Sequence, residues 1–472
     1  MMVGILQDDE EQTNSLRRNK MNKMMKWSLA VACAVISTGS VMAQGDGGPL
    51  IDALVKKGVL SSQEGEEIRA DMTADLASTP GGMISWGSSA VRGVRIYGDT
   101  RFRYEYNSIR DQVTPPGSDS RQTEDHRYRY RLRIGADYTF ASNFNAGVRL
   151  ETQADSTSTN TDLGGFFDKN GDAINIGLAF LSYANTDVWG IFDTVRLTAG
   201  KQISPLYFNG VNGFLWDTDA NPEGFSQELG WKDVGFDKLD IAFRSGQYIV
   251  SNVNNSAVPA AAGIGGNATD AWMATAQVEA KYDWATRSGF KIAPTFIGIQ
   301  GDETGTQANS SVLRQSLSND AYFLIPAEVY FNVLKQPLRL YGTYGLNLNG
   351  EGRNHLATGE RFNSSKNQLF NVGATLGNAR NKGSWDITGE YRYVETNAYT
   401  RNLQDSDFNG GRGNGHGFVG SFGYAVTDNV QLRASYFHSM NIDKTQGTFP
   451  APTGGTNASI AQVLQIDLSW RF

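Results

Sequence analysis

Disulfides are excluded first. A single cysteine, Cys33, serves 472 residues, so no intramolecular bridge can form. Histidine is almost as scarce. His126, His355, His416 and His438 are the whole set, and no Ser/His/acid grouping or G-x-S-x-G accompanies them. Residues so scattered predict no metal centre. "GGRGNGHG", Gly410 to Gly417, is glycine-rich but lacks the βαβ context of a phosphate cradle. No catalytic residue, cofactor or enzyme activity is expected. An excess of base is missing too: the net charge is −7, which gives nucleic acid no electrostatic footprint. Twelve prolines and 19% charged residues are too few for a disordered chain. Hydrophobic residues make up only 40% of the chain, with a mean hydropathy of −0.39. These values exclude a bundle of transmembrane helices, but not a membrane barrel, whose strands are only half apolar.

The most apolar stretch, Trp27 to Ile36, is too short to span a bilayer. Lys23 and Lys26 precede it, and "VMA" (Val41 to Ala43) ends it before Gln44. That order predicts a secretory signal peptide over residues 1–43. Residues 1–20 do not resemble part of a signal, so Met21 is read as the true start behind an upstream extension. Over residues 44–82 a helical leader is expected in the periplasm. Ser61 and Glu64 form a capping box there, and Ile68, Met72 and Leu76 recur at helical spacing. "STPGG", Ser78 to Gly82, ends it.

From Val94 onward the pattern changes period. "RYRYRLRIGADYTF" (Arg127 to Phe140) sets Arg127, Arg129, Arg131 and Arg133 against Tyr128, Tyr130, Leu132 and Ile134. A helix would smear the two sets around its circumference. A strand puts each set on its own face. Sixteen such segments follow: 94–106, 127–140, 144–153, 174–184, 193–203, 225–231, 238–249, 271–284, 289–299, 321–333, 337–349, 367–377, 384–395, 415–426, 429–440 and 460–472. Their connections alternate in length. "ASN" (141–143), "ATRS" (285–288), "LKQ" (334–336) and "TD" (427–428) are tight, while 107–126, 154–173 and 250–270 are long and polar. A soluble sandwich has no reason to alternate so; an outer-membrane barrel has short periplasmic turns and long external loops. The reading is therefore all-β: a transmembrane antiparallel barrel of about 16 strands over residues 94–472. The last segment puts Leu464, Ile466, Leu468, Trp470 and Phe472 on one face. Leu468, Trp470 and the terminal Phe472 resemble the signal that barrel-assembly machinery recognises.

If the apolar face of 127–140 meets lipid, its arginines face the lumen. The opposite orientation would cost roughly 2–4 kcal/mol for each arginine near the midplane. With the neighbouring strands, this predicts a pore-lining basic wall of Arg95, Arg101, Arg103, Arg127, Arg129, Arg131, Arg133 and Arg149. Asp99, Glu105, Asp137 and Glu151 share that wall. Sixteen strands leave an aqueous channel rather than a packed core. The loop after the fifth strand carries Asp217, Asp219 and Glu223, candidates for a constriction that folds inward and faces the arginines.

"GKQISPLYFNGVNGFLWDTDANPEGF", "LIDALVKKGVL" and "DYTFASNFNAGVRLET" resemble the putative-porin family of Gram-negative outer membranes, across most of the chain from residue 50. The sharpest element is "WDTDANPEG" (Trp216 to Gly224), beside "GKQ" with Lys201 where the family usually carries arginine. The resemblance implies a β-barrel, passive diffusion of small hydrophilic solutes and a homotrimer. Lipid bilayer, lipopolysaccharide and the barrel-assembly machinery are the expected partners. A substrate-selective anion channel is the alternative, because arginine ladders hold phosphate through charge-assisted hydrogen bonds. A structural or adhesive barrel is the more remote one, and it would need a plugged lumen.

Overall fold

The computed structural model describes residues 83–84, 91–111, 122–140, 143–153, 158–164, 173–235, 237–251, 271–300, 320–349, 366–400, 403–443 and 459–472. The expected signal segment and helical leader lie outside these residues. Sixteen wall strands run through them: β1 (Val91–Asp111), β2 (Gln122–Phe140), β3 (Phe144–Gln153), β4 (Ala173–Val188), β5 (Phe192–Lys201), β6 (Glu223–Trp231), β7 (Leu239–Ser251) and β8 (Ala271–Ala285). Then come β9 (Ser288–Ile292 and Thr295–Gln300), β10 (Asp320–Val333), β11 (Gln336–Asn347), β12 (Gln368–Gly377), β13 (Trp385–Val394), β14 (Gly415–Ala425), β15 (Val430–Asn441) and β16 (Ser459–Arg471). All pair antiparallel in chain order. β16 returns to β1, with Leu468 opposite Phe102 and Trp470 opposite Thr100, and the sheet closes. Closure leaves no unpaired edge, the condition for a sheet to sit in hydrocarbon.

Every expected segment corresponds to one strand. The differences lie at the ends and in β9. β1 and β2 reach Asp111 and Gln122, well past the expected limits, with Asn107 opposite Asp125 and Ser108 opposite Glu124. A ladder beyond the lipid needs no apolar face, so hydropathy alone under-reads its length. β9 breaks at Ala293 and Pro294 because proline donates no hydrogen bond. Ala293 N–H to the Pro326 carbonyl (2.9 Å) and Val278 N–H to the Pro294 carbonyl (3.1 Å) carry the ladder across the gap. Two short pieces extend the sheet: Met83–Ile84 beside β1, and Thr161–Asp162 beside β2.

The two faces divide by parity. Tyr128, Ile134, Val148, Leu340, Phe422 and Leu432 are exposed on the outside, whereas Arg103, Arg129, Arg131 and Glu390 are buried inside. Along β8 to β10 the inner face turns apolar. Met273, Ile297, Ile299, Tyr322 and Leu324 join Phe214, Leu215 and Trp216 in one buried cluster within the barrel.

The seam is tight at the chain terminus. Gly98 and Phe472 exchange both backbone hydrogen bonds, at 3.0 and 3.1 Å. A Cβ at Gly98 would fall 2.5 Å from the Arg133 carbonyl and 2.4 Å from the Phe472 ring. Gly98→Leu should therefore lower barrel stability by about 1–3 kcal/mol through overpacking. Heat-modifiable gel mobility of the refolded protein reads this as a lower unfolding temperature. An unchanged temperature would contradict the seam as described.

Candidate functional site

The inner wall of β1 and β2 faces Arg101 with Arg131, Arg103 with Arg129, Asp99 with Arg133 and Glu105 with Arg127. Such a density of like charge persists only if carboxylates offset it. They do for most of the wall. Arg103 makes a two-pronged contact with Asp467 of β16 at 2.7 and 2.8 Å. Asp99 accepts from Arg131 at 2.8 Å and from Arg133 at 2.6 Å. Glu105 accepts from Arg127 and lies 3.5 Å from Arg129, which pairs with Asp162 at 2.8 Å. Arg101 donates to Asn160. Arg149 pairs with Glu151 at 2.9 Å. Arg95 stands apart, exposed and set against the Tyr97 ring.

The segment after β5, residues 202–222, runs through the lumen. Its contacts with non-adjacent strands allow no other path. Gln277 of β8 brackets Tyr207, accepting from its N–H and donating to its carbonyl, each at 2.8 Å. Asn209 donates to the carbonyls of Ala327 on β10 (3.0 Å) and Gly342 on β11 (2.9 Å). Val211 N–H donates to Glu390 on β13 at 2.7 Å. Gly210, at φ +108°, lets the backbone lie this close, since a Cβ there would meet Phe214, Asn371 and Glu390. Farther along, Asp219 returns to the arginine wall, 3.7 Å from Arg131 and 3.8 Å from Arg133.

A second segment, residues 395–400 and 403–414, also turns inward, which the sequence reading did not expect of this polar loop. It lies on the first. Asp217 N–H donates to the Leu403 carbonyl at 2.8 Å, and Tyr399 Oη donates to the Leu215 carbonyl at 2.8 Å. Arg392 of β13 joins both segments to the wall. Its fully buried guanidinium donates to Glu390 (2.9 Å), to Asp405 (2.8 Å) and to the Val211 carbonyl. It also lies over the rings of Phe214 and Phe408, 4.7 and 5.3 Å from their centroids.

Between these segments and the β1–β2 wall lies a cavity of about 270 Å³. Arg101, Arg103, Arg127, Arg129 and Arg131 border one side, and Asp217, Asp219, Asp405 and Asp407 the other. Arg133 lies behind Asp219, while Arg149 and Arg95 do not border the cavity. Glu223 is apart from Asp217 and Asp219. It sits at the start of β6, 62% exposed, paired with Lys201 at 3.2 Å. Leu468 and Trp470 are exposed on the outer face of β16, beside Phe472 at the seam. Burial works against the charge on Asp219, yet Arg131, the Thr159 hydroxyl, Arg133 and Arg101 hold its carboxyl below the usual carboxylate range. Asp217 goes the other way. Burial, with Asp219, Asp405 and Asp407 close by, pushes it up to about 7 despite the Asp219 N–H it accepts.

The sequence profile of a family described as a putative porin matches residues 106–323 and 336–472. No curated protein matches the chain. Among solved structures, Salmonella typhi OmpF in complex with daunomycin is 11% identical, covering 83% of this chain and 100% of that one at a TM-score of 0.44. Pseudomonas putida OprB is 10% identical over 79% and 94% of the two chains, with a TM-score of 0.43. The outer membrane channel DcaP of Acinetobacter baumannii is 12% identical over 82% and 99%, with a TM-score of 0.42.

Arg392→Met keeps the bulk but strands two buried carboxylates, a loss of about 3–5 kcal/mol when a buried pair is broken. The segment 395–414 should become protease-sensitive and unit conductance should rise, with the barrel still heat-modifiable. Unchanged proteolysis and conductance would refute the clasp. An acid whose pKa is raised on folding keeps a proton that the unfolded chain has released. The Asp217 contribution thus favours the docked segments at low pH and is lost as pH rises from 3.8 to about 7. Over the same rise the cavity gains negative charge. Reversal potential in a KCl gradient should move toward cations as pH passes about 7, and Asp217→Asn should reduce that movement, leaving the part that Asp405 contributes. An identical pH response in Asp217→Asn would exclude Asp217 as its source.

Proposed function

The chain belongs to the putative-porin family, and we propose that it is an outer-membrane porin. It gives small hydrophilic solutes and ions passive diffusion through a water-filled pore. One observation carries the reading: the two inward segments oppose carboxylates to an arginine wall and leave a narrow charged cavity between them. Opposed charges across a constriction set up a transverse field that orients dipolar solutes and weighs ions by sign. The arginines are already matched to carboxylates, with Arg103 on Asp467 and Arg131 and Arg133 on Asp99. That pairing favours a mixed-charge porin over a ladder of vacant arginines that would strip phosphate of its water. The inner apolar cluster fixes the loops against β8–β10 and keeps the solute path beside β1 and β2.

The rest of the proposal follows from this setting. Residues 1–43 direct export and are removed, and residues 44–82 form a periplasmic leader. Leu468, Trp470 and Phe472 present the final strand to the barrel-assembly machinery. The finished barrel stands in a bilayer with lipopolysaccharide, as a homotrimer.

Arg129→Glu with Arg131→Glu should shift reversal potential toward cations in planar bilayers, while heat-modifiable mobility shows the barrel still closed. Arg101→Gln should shift it in the same direction by less. Unchanged selectivity at normal conductance would remove these arginines from the ion path.

A further inference from the structure

Two charged groups of the cavity lack a close mate, and they have opposite signs. Arg101 stands across from Arg131 on β2, with Arg103 beside it on β1. Its guanidinium donates to Asn160, and its Nε is buried with no hydrogen-bond partner. The one ion-pair contact it makes among the described residues is with Asp467, at 3.9 Å. Both Asp467 oxygens are already held by Arg103, at 2.7 and 2.8 Å. On the opposite side, Asp217 accepts the Asp219 N–H at 2.9 Å and makes no ion pair among the described residues. Its charged neighbours are acids. Asp219 is matched by Arg131 and Arg133, Asp405 by Arg392, and Asp407 by Arg103 at 3.7 Å. Asp217 is the acid left over.

A single ion answers only half of this arrangement. A phosphate on Arg101 would face Asp217 and the acids around it. A lone cation at Asp217 would leave Arg101 unmatched, and no group of described residues is arranged to hold a metal ion. Space and lining narrow the class further. A cavity of about 270 Å³ has room for about nine waters at roughly 30 Å³ each. That admits a solute the size of a dipeptide and excludes an oligosaccharide. Among the described residues that border it, Asn107, Ser158, Asn160, Thr218 and Ser406 are polar, and Val463 is the only apolar side chain. Hydroxyls and amides can both donate to and accept from a peptide group. Little there receives an apolar side chain.

We propose that this cavity favours short polar zwitterions, of the dipeptide kind, as they pass. The carboxylate end meets Arg101, the ammonium end meets Asp217, and the peptide group meets the amides and hydroxyls between them. The proposal rests on the porin reading and names its favoured solute class. One partly exposed ion pair at each end holds a solute weakly and briefly, which suits passage.

The test records single-channel current through the refolded protein in KCl with three probes of near-equal size. Glycylglycine carries both charges, N-acetylglycine only the carboxylate, and glycylglycinamide only the ammonium. Glycylglycine should interrupt the current roughly five-fold more often than either of the others, the weight of one partly exposed ion pair. In Arg101→Gln its effect should fall to that of glycylglycinamide, and in Asp217→Asn to that of N-acetylglycine. Variants that weaken all three probes alike would overturn the two assignments. Equal response of the unaltered channel to the three probes would overturn the proposal and leave the pore reading standing. So would stronger interruption by N-acetylglycine, which would make the wall a plain anion site. A closed barrel that gives no steps in KCl would overturn both readings.

Discussion

Much of the interior hangs on Arg392. A guanidinium with no exposed surface is stable only when its donors are met, and here three separate parts of the chain meet them. Glu390 belongs to the wall, the Val211 carbonyl to the first inward segment, and Asp405 to the second. One side chain thus sets the distance between two loops and the strand behind them. The positions of Asp217, Asp219 and Asp407 across from the arginines follow from that distance.

The barrel reverses the usual placement of polarity, but not uniformly. The outer face of the described strands is largely apolar. The inner face is charged on β1, β2 and β16, and apolar on the upper halves of β8 to β10. The apolar stretch inside marks a contact with protein rather than with water. Inside, the apolar half receives Phe214, Leu215 and Trp216. This leaves water only the charged half, where Arg103 and Asp467 and their neighbours stay close to neutral in sum. A cavity built so offers a strong local field with little net charge, which suits passage more than retention.

How much of this the sequence could say depends on what each feature costs. All the wall strands were legible, because a polar residue turned to lipid is expensive and the period of two holds along most of each strand. β9 was read whole because Pro294 interrupts hydrogen bonds without interrupting alternation. The ends of β1 and β2 were missed where lipid no longer imposes a pattern. Residues 395–400 and 403–414 were missed as a second inward loop. Its apolar Tyr399, Leu403 and Phe408, in a stretch otherwise polar enough for water, were the available signal. Likewise "YFLI" at Tyr322 to Ile325 is apolar on both faces, which marks a strand covered on both sides. Glu223 looked like part of the acidic loop by adjacency, but the start of β6 turns it outward to Lys201. Asp467 went unremarked because its partner Arg103 is distant in sequence and adjacent only once the barrel closes.

The central claim is that a narrow, water-filled and internally charge-balanced path crosses this barrel. Single-channel recording of the refolded mature chain in a planar bilayer, first in KCl and then with added phosphate, tests it most directly. The account predicts ohmic steps that phosphate leaves unchanged, because the wall arginines are already engaged by carboxylates. Steps that phosphate blocks at low concentration would contradict it, and the arginines would then be a binding ladder. Absence of steps from a correctly closed barrel would contradict the path itself.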